Sequence, residues 1–519
     1  MSSTLARWNR RQFQAALVGG LLLCSLPNHV DANEPRTMSS EPLVEANNAF
    51  ALALLRVLNE ASQGENHFFS PFSMQSALTM ATEGARGDTA AEMGAALHYP
   101  ESSKQAGELP WNFSELRTTF RAISERMQPD DSAKANELRQ QIASLRSKLD
   151  KANEQAASLS RAGNFKEANA KSSEAANLAE QINMLAKQVD QYELSNANSL
   201  WVDESFKLSP KYQAIIADNY RPAHVVAADF RNKANDERLR INQWVSNQTK
   251  DKVRDIVPPG VINAMTRLVI ANAIYFKGTW VTPFDPEFTK PEPFTKSDNQ
   301  KVTVPLMNMS SFEEGKYAAF NADGSEFETP TKVDRDFDDR RGYPGDGGYQ
   351  VIELPYNGDT LSMMIFLPKR ADELDTLFRT LSVTQLDTCA EKLQQREVNL
   401  SLPKFKLESN YDLKRPLKEL GMHLAFSDRE ADFSGLTEVR DVNHQLYISA
   451  VMHKAFVEVN EKGTEAAAAT VVIFAPRAAF IPQRTFVPRF KADRPFLFVI
   501  RERASGLILF MGKVENPAE

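Results

Sequence analysis

The sequence predicts an α+β protein, with mixed β-sheets and helices packed around them. Three stretches carry that reading. Leu43–Asn59 places Phe50, Leu54, Val57 and Leu58 at helical spacing, one apolar stripe on an otherwise polar helix. Thr266–Trp280 is a nearly continuous apolar run, the pattern of a strand covered on both faces. Tyr349–Leu367 reads as two strands around Asn357-Gly358, a dipeptide suited to the positive φ values of a tight hairpin.

Length and composition set the bounds. A chain of 519 residues holds two or three domains or one large one. With 42% hydrophobic and 25% charged residues it has the composition of a globular protein. A formal net charge of −7 gives no basis for a nucleic-acid partner.

In order along the chain, Arg7, Arg10 and Arg11 precede an apolar stretch from Ala15 to Leu26, and Val30-Asp31-Ala32 offers a cleavage site. Residues 1–32 are therefore expected to be an export signal, with Arg10-Arg11-Gln12-Phe13 similar to a twin-arginine motif. The apolar stretch is too short to stay in a membrane, and Leu23 before Cys24 makes a poor lipidation box. A basic leader on a cytosolic protein is the competing reading. The expected location is outside the cytoplasm, secreted or periplasmic. With Cys24 in the leader, the mature chain keeps Cys389 alone and forms no internal disulfide.

Within 33–128, Asn66–Ser73 reads as a short strand and then a helix start, with Ser70 as cap before Pro71. Gly84–Thr89 reads as a turn between two helices. From 129 to 192 the apolar residues Leu138, Ile142, Leu145, Leu149, Ala152, Ala156 and Leu159, then Ala175, Leu178, Ile182, Leu185, Val189 and Tyr192, step by threes and fours. A break at Arg161–Phe165 makes this an antiparallel helical hairpin. The remainder, 193–517, resumes with strands at Tyr192–Trp201 and Ala223–Phe230 and a helix Asn235–Lys250 capped by Asn235. Asn272 is conspicuous within the central apolar strand, because a buried amide costs free energy unless hydrogen-bonded. Residues 321–348 are polar, Gly-rich and acidic, and a flexible loop is expected. Leu400–Leu407, Phe490–Phe498 and Leu507–Val514 supply later strands.

No catalytic motif is present: no G-x-S-x-G, H-E-x-x-H, P-loop or paired C-x-x-C. His453 lies in an apolar run and reads as a hydrogen-bonded core histidine. No enzyme activity, cofactor or metal is expected.

The informative stretch is Lys454–Arg477. Phe456, Val457 and Val459 begin it as a strand; Gly463, Thr464 and Glu465 follow, then Ala466, Ala467, Ala468, Ala469 and Thr470. Four alanines favour a helix, but period-2 assignment puts Thr464, Ala466, Ala468, Thr470, Val472 and Phe474 on one uncharged face. A segment that can be loop or helix first and an inward-facing strand later is a two-state element.

The run V-E-V-N-E-x-G-T-E-A-A-A-A-T resembles the hinge and reactive-centre loop of the inhibitory serpins. The resemblance extends from about residue 43 to Pro517, with 129–192 and 321–348 departing from the pattern as insertions. It implies a serpin fold: a large central sheet A, surrounding helices and an exposed reactive-centre loop over 461–489. It implies a hinge of Glu461 and Gly463 to Thr470, a breach of Trp280, Lys404 and Glu461, and a shutter of Ser70, Ser73, Asn272 and His453.

The resemblance also implies a suicide-substrate inhibitor, in which the cleaved loop inserts into the sheet and traps the acyl-enzyme. The implied partner is a trypsin-like serine protease whose pocket aspartate accepts arginine; Pro476 before Arg477 would also suit a papain-like cysteine protease. Counted forward from the hinge, the reactive bond is Arg477–Ala478; counted back from Arg494-Pro495-Phe496 it is Arg484–Thr485. The forward count is preferred, because insertion constrains the hinge-to-scissile length. From Gly463 to Arg477 the loop would span about 50 Å as a strand. The inhibitor is expected to be a monomer. The rival is a non-inhibitory serpin, a carrier, chaperone or interaction scaffold; such relatives often carry charged, bulky or proline residues in the hinge, and here every inward position is small or apolar.

Overall fold

The computed structural model describes residues 41–127, 132–186, 188–189, 192–334, 337–438, 445–464 and 483–518. Strand β4 (Leu268–Thr279) is buried along nearly its whole length, because both its faces are covered. Leu268, Ile270, Ile274 and Phe276 join the main core, whereas Val269, Ala271 and Ala273 join a second core under Phe230, Ile241 and Val245 of the helix Phe230–Gln248. This double burial is why its sequence is continuously apolar.

Strand β4 lies inside a mixed six-stranded sheet. Its order is β13 (Phe405–Asp412), β14 (Ile448–Asn460), β15 (Gly463–Thr464), β4, β2 (Tyr192–Asp203) and β3 (Ala223–Ala228). Strands β14 and β4 are parallel neighbours, as are β2 and β3; the other pairs are antiparallel. A seven-stranded antiparallel sheet runs β1 (His67–Phe69), β19 (Ile508–Val514), β18 (Phe496–Glu502), β10 (Leu361–Pro368), β9 (Tyr349–Pro355), β7 (Lys316–Phe320) and β11 (Gln394–Gln395). A third sheet joins β17 (Arg489–Lys491), β12 (Val398–Pro403), β6 (Lys301–Phe312) and β5 (Lys290–Thr295). Strands β16 (Gln483–Thr485) and β8 (Lys332–Asp334) pair separately.

Helix α1 (Pro42–Ala61) buries its apolar stripe in the main core. Helix α2 (Pro71–Gly84) is buried throughout and lies against β4 and β19; Ser70 caps it by accepting from the Ser73 N–H at 3.2 Å. After the Gly84–Gly87 turn come α3 (Gly87–Ala96) and α4 (Phe113–Arg126). Helices α5 (Ala133–Arg161) and α6 (Phe165–Ala186) pack on each other around a core of their own, with Ile142, Leu149, Ala152, Ala175 and Ile182 inside. Tyr192, the last member of that repeat in the sequence, instead starts β2 and joins the main core. Helices α7 (Pro210–Asn219) and α8 (Phe230–Gln248) complete this half of the chain.

Two expectations need correcting. Helix α8 starts a turn earlier than Asn235: Asp229 caps it by accepting from the Asn232 N–H at 3.0 Å, and a kink at Lys233 (φ −130°, ψ 34°) lets the helix bend onward. The Asn235 side chain accepts from Arg238 instead, and Leu239 is exposed where Ile241 and Val245 are buried. The 321–348 segment also differs from a featureless loop. It contributes β8 and a 3-10 turn, Asp339–Gly342, because Phe337 and Tyr343 pack on Phe486 from far along the chain.

Candidate functional site

The candidate site is the seam between β14 and β4 and the loop that begins beside it. Over most of its length the seam is closed. Eight register pairs, from Ile448↔Leu268 to Phe456↔Tyr275, join the two strands in parallel. At the far end the strands part. The chain leaves β14, turns at Glu461-Lys462, and returns as β15 between them: Thr464 faces Val459 on one side and Gly278 on the other, Gly463 faces Asn460 and Thr279.

Glycine is required there. Gly463 has φ +146°, and a Cβ would lie 2.0 Å from the Gly278 carbonyl oxygen. Thr464 is fully buried, and its hydroxyl is 2.8 Å from the Tyr356 hydroxyl. Tyr356 in turn stacks on Trp280, with ring centroids 4.6 Å apart and planes 14° from parallel.

Trp280 ties down the turn. Its backbone N–H donates to the Lys462 carbonyl at 2.9 Å and its indole N–H to that of Asn460 at 3.2 Å. The Lys404 ammonium is 3.0 Å from the Glu461 carboxylate, and the Thr289 hydroxyl donates to the same carboxylate at 2.9 Å. Burial alone would raise the Glu461 pKa. Hydrogen bonds from its own backbone N–H, Lys404 and Thr289 outweigh burial and hold it below the ordinary value.

Lower in the seam, one level of the sheet is polar. Asn198, Asn272, His453 and Tyr411 occupy consecutive register positions across β2, β4, β14 and β13. Helix α2 covers this row with Ser70 and Ser73, and all four of Ser70, Ser73, Asn272 and His453 are buried. The Ser70 N–H donates to His453 Nε2 at 3.2 Å, which assigns the proton to Nδ1; Nδ1 donates to Asn272 Oδ1 at 2.5 Å. The Asn272 amide then donates to Ser73 Oγ at 2.5 Å and to Asn198 Oδ1. Ser73 Oγ donates to Asn196 Oδ1 at 2.7 Å, and Ser70 Oγ to the Leu509 carbonyl at 2.6 Å. Burial pushes the His453 pKa down to about 3, so the imidazole stays neutral.

Of the residues singled out in the sequence, Glu465 to Thr470, Arg477 and Ala478 lie outside the described residues. Arg484 and Thr485 are on β16, with Arg484 in an ion pair with Asp339. Tyr356, Asn198, Asn196 and Thr289 went unnoticed in the sequence. Asn196-x-Asn198 carried a weak signal, two amides one strand period apart, blurred by Ser195 and Ser199 beside them. Tyr356 carried none, because its role comes from a contact 108 positions away.

A central sheet already holding the start of the adjoining loop defines the class as a strand-addition fold. The chain belongs to the serpin family: the serpin (serine protease inhibitor) family model matches residues 45–517. Leukocyte elastase inhibitor of Sus scrofa is 34% identical over 483 residues, covering 92% of this chain and 100% of that one. Antithrombin-III of Ovis aries is 37% identical over 325 residues, 63% of each chain. The solved structure of Serpin48 from the insect Tenebrio molitor has 26% identity and a TM-score of 0.63, covering 92% of this chain and 99% of that one. The family is described as serine protease inhibitors, and the chain is not an enzyme.

Proposed function

We propose that this serpin inhibits an Arg-specific, trypsin-like serine protease as a suicide substrate. The observation that supports it most is the seating of Gly463 and Thr464 between β14 and β4, the geometry a loop would have at the start of insertion. The protease serine oxygen attacks the Arg477 carbonyl carbon, the bond to Ala478 nitrogen breaks, and the new amine leaves with a proton. An ester joins Arg477 to the enzyme. The freed loop then continues the path begun at Thr464, replacing the parallel β14–β4 pairing with two antiparallel ones, which are slightly more stable per residue. On the order of ten added backbone hydrogen bonds, each about 1 kcal/mol net, together with burial of the small face Ala466–Thr470, drive the step. Water does not reach the ester before the enzyme is displaced. The uncut form persists because it is kinetically trapped.

Incubation with trypsin tests this. The expected result is a complex stable in denaturing gels and a released peptide beginning at Ala478; absence of any such complex overturns the proposal. A papain-like cysteine protease is a secondary target to assay. The inhibitor is proposed to be exported, on the strength of the Arg7–Leu26 segment, and to act as a monomer. The separate core of α5 and α6 favours a second reading, in which an inserted helical hairpin makes the protein an interaction scaffold. Deleting residues 131–191 separates the two, since an inhibitor keeps its activity without the hairpin.

A further inference from the structure

The C-terminal flank of the loop is held by a part of the chain that no other step uses. Strand β16 pairs antiparallel with β8, Arg484 opposite Val333 and Thr485 opposite Lys332. The Phe486 N–H donates to the Thr331 carbonyl at 3.0 Å. The Phe486 ring is 3% exposed and meets the edges of Phe337 and Tyr343, with centroids 6.0 and 5.8 Å away. Its seat is the bare backbone of Gly342, where a Cβ would come within 2.1 Å of the ring. The Arg396 guanidinium bridges the residues flanking the two strands, donating to the Phe486 carbonyl at 3.0 Å after β16 and to the Pro330 and Thr329 carbonyls at 2.8 and 3.5 Å before β8. Tyr343 adds a hydroxyl that accepts from the Arg489 N–H at 2.8 Å. Beyond it, β17 pairs with β12.

We propose that Thr329–Asp334 and Phe337–Tyr343, with Arg396, form a clamp that withdraws the Arg484–Thr485 bond from proteases and so selects which arginine of the loop is cut. A peptide bond is cleaved where the chain is exposed and extended, and one held in a paired strand is cut only from an opened state. Cleavage after Arg484 requires three things at once: the Asp339 ion pair must break, β16 must leave β8, and Phe486, two residues past the bond, must leave its aromatic seat. Arg396, Phe486 and Asp339 are positioning residues, acting through the backbone they hold. The assignment of the productive cut to Arg477 rests on the function proposed above; the protection of Arg484–Thr485 rests on the clamp alone.

The test is limited trypsin digestion of the full chain, with the new N-termini identified by mass. In the unaltered protein, no fragment beginning at Thr485 is expected while the loop is first cut. Phe486→Ala and Arg396→Ala should speed cleavage after Arg484 at least tenfold, and Asp339→Ala, a surface change that leaves the core untouched, a few-fold. Arg396→Lys keeps the charge but not the forked geometry, and should resemble Arg396→Ala. Ready cleavage after Arg484 in the unaltered chain overturns the proposal. So does an unchanged rate in Asp339→Ala together with either clamp variant whose melting temperature is preserved. Covalent complex formation is scored in the same digests: its loss with the clamp effect intact counts against the inhibitory function, not against the clamp.

Discussion

The β14–β4 seam exists in two forms within one molecule. Near Thr464 it is parted and holds a third strand; near His453 it is closed and pinned by side chains. The parted end is lined by Gly278, Gly463, Thr464 and the stacked rings of Trp280 and Tyr356, which leave room for a backbone. The closed end is crossed by the bond from His453 to Asn272, whose partners Ser70 on one side and Ser73 and Asn198 on the other hold it in place. One end already holds a strand, and the other must break that buried crossbar as well as the backbone pairing. In the proposed insertion, the distance the loop travels is set by what lies at each level of the seam.

The sharpest way to break that comparison is to make the parted end impassable. Thr464 is already buried in the resting sheet, so Thr464→Arg should expel β15 while leaving the rest of the fold intact by circular dichroism, and lower the yield of gel-stable protease complex by about tenfold or more, since an unpaired charge cannot occupy the core; the cut loop should accumulate instead. Undamaged complex formation would remove the insertion step.

At the closed end, Asn272→Ala strands the His453 and Ser73 groups in a dry interior. A loss of about 2–4 kcal/mol in urea unfolding is expected, and a loss below half of that would mean the network does not pin the seam.

Acid attacks the same level. The folded pKa of His453 is about 3 and that of the nearby His67 about 4, against 6.5 for a free imidazole. Between these values the unfolded chain binds the extra proton and the folded chain does not, so stability is complete above pH 6.5 and falls as pH drops through the window. Thermal melts at pH 7, 5 and 4 should decline stepwise, and Asn272→Ala should change that slope.

Smaller effects sharpen the contrast. Tyr356→Phe removes the hydroxyl that meets Thr464 and should cost about 1 kcal/mol, seen as a lower melting temperature and faster hydrogen exchange at Thr464. Lys404→Ala leaves the buried Glu461 carboxylate its bond from Thr289 and should lower stability by about 1 kcal/mol. An effect larger than that of Asn272→Ala would reverse the ranking of the two ends.

Much of this was legible in order along the chain. The continuous apolar run of β4 is legible because both faces are buried, and Asn272 stands out in it because an amide there demands partners. The turn at Asn357-Gly358 and the cap at Ser70 are local chemistry, readable within four residues. Features depending on distant contacts were not. Phe337 and Tyr343 sit in an acidic, Gly-rich stretch that looks unstructured until Phe486 arrives from 143 positions beyond Tyr343. Asn235 and Asp229 are both good cap residues, and only the packing of Phe230 decides where α8 begins.

Under the proposed mechanism the closed part of the seam also gives the molecule a clock. Eight parallel register pairs and one polar crossbar would stand between the resting sheet and the filled form that the mechanism requires. How long a stored sample stays usable would then be a barrier height rather than a depth of well, and such heights are crossed several-fold faster for each ten degrees of warming.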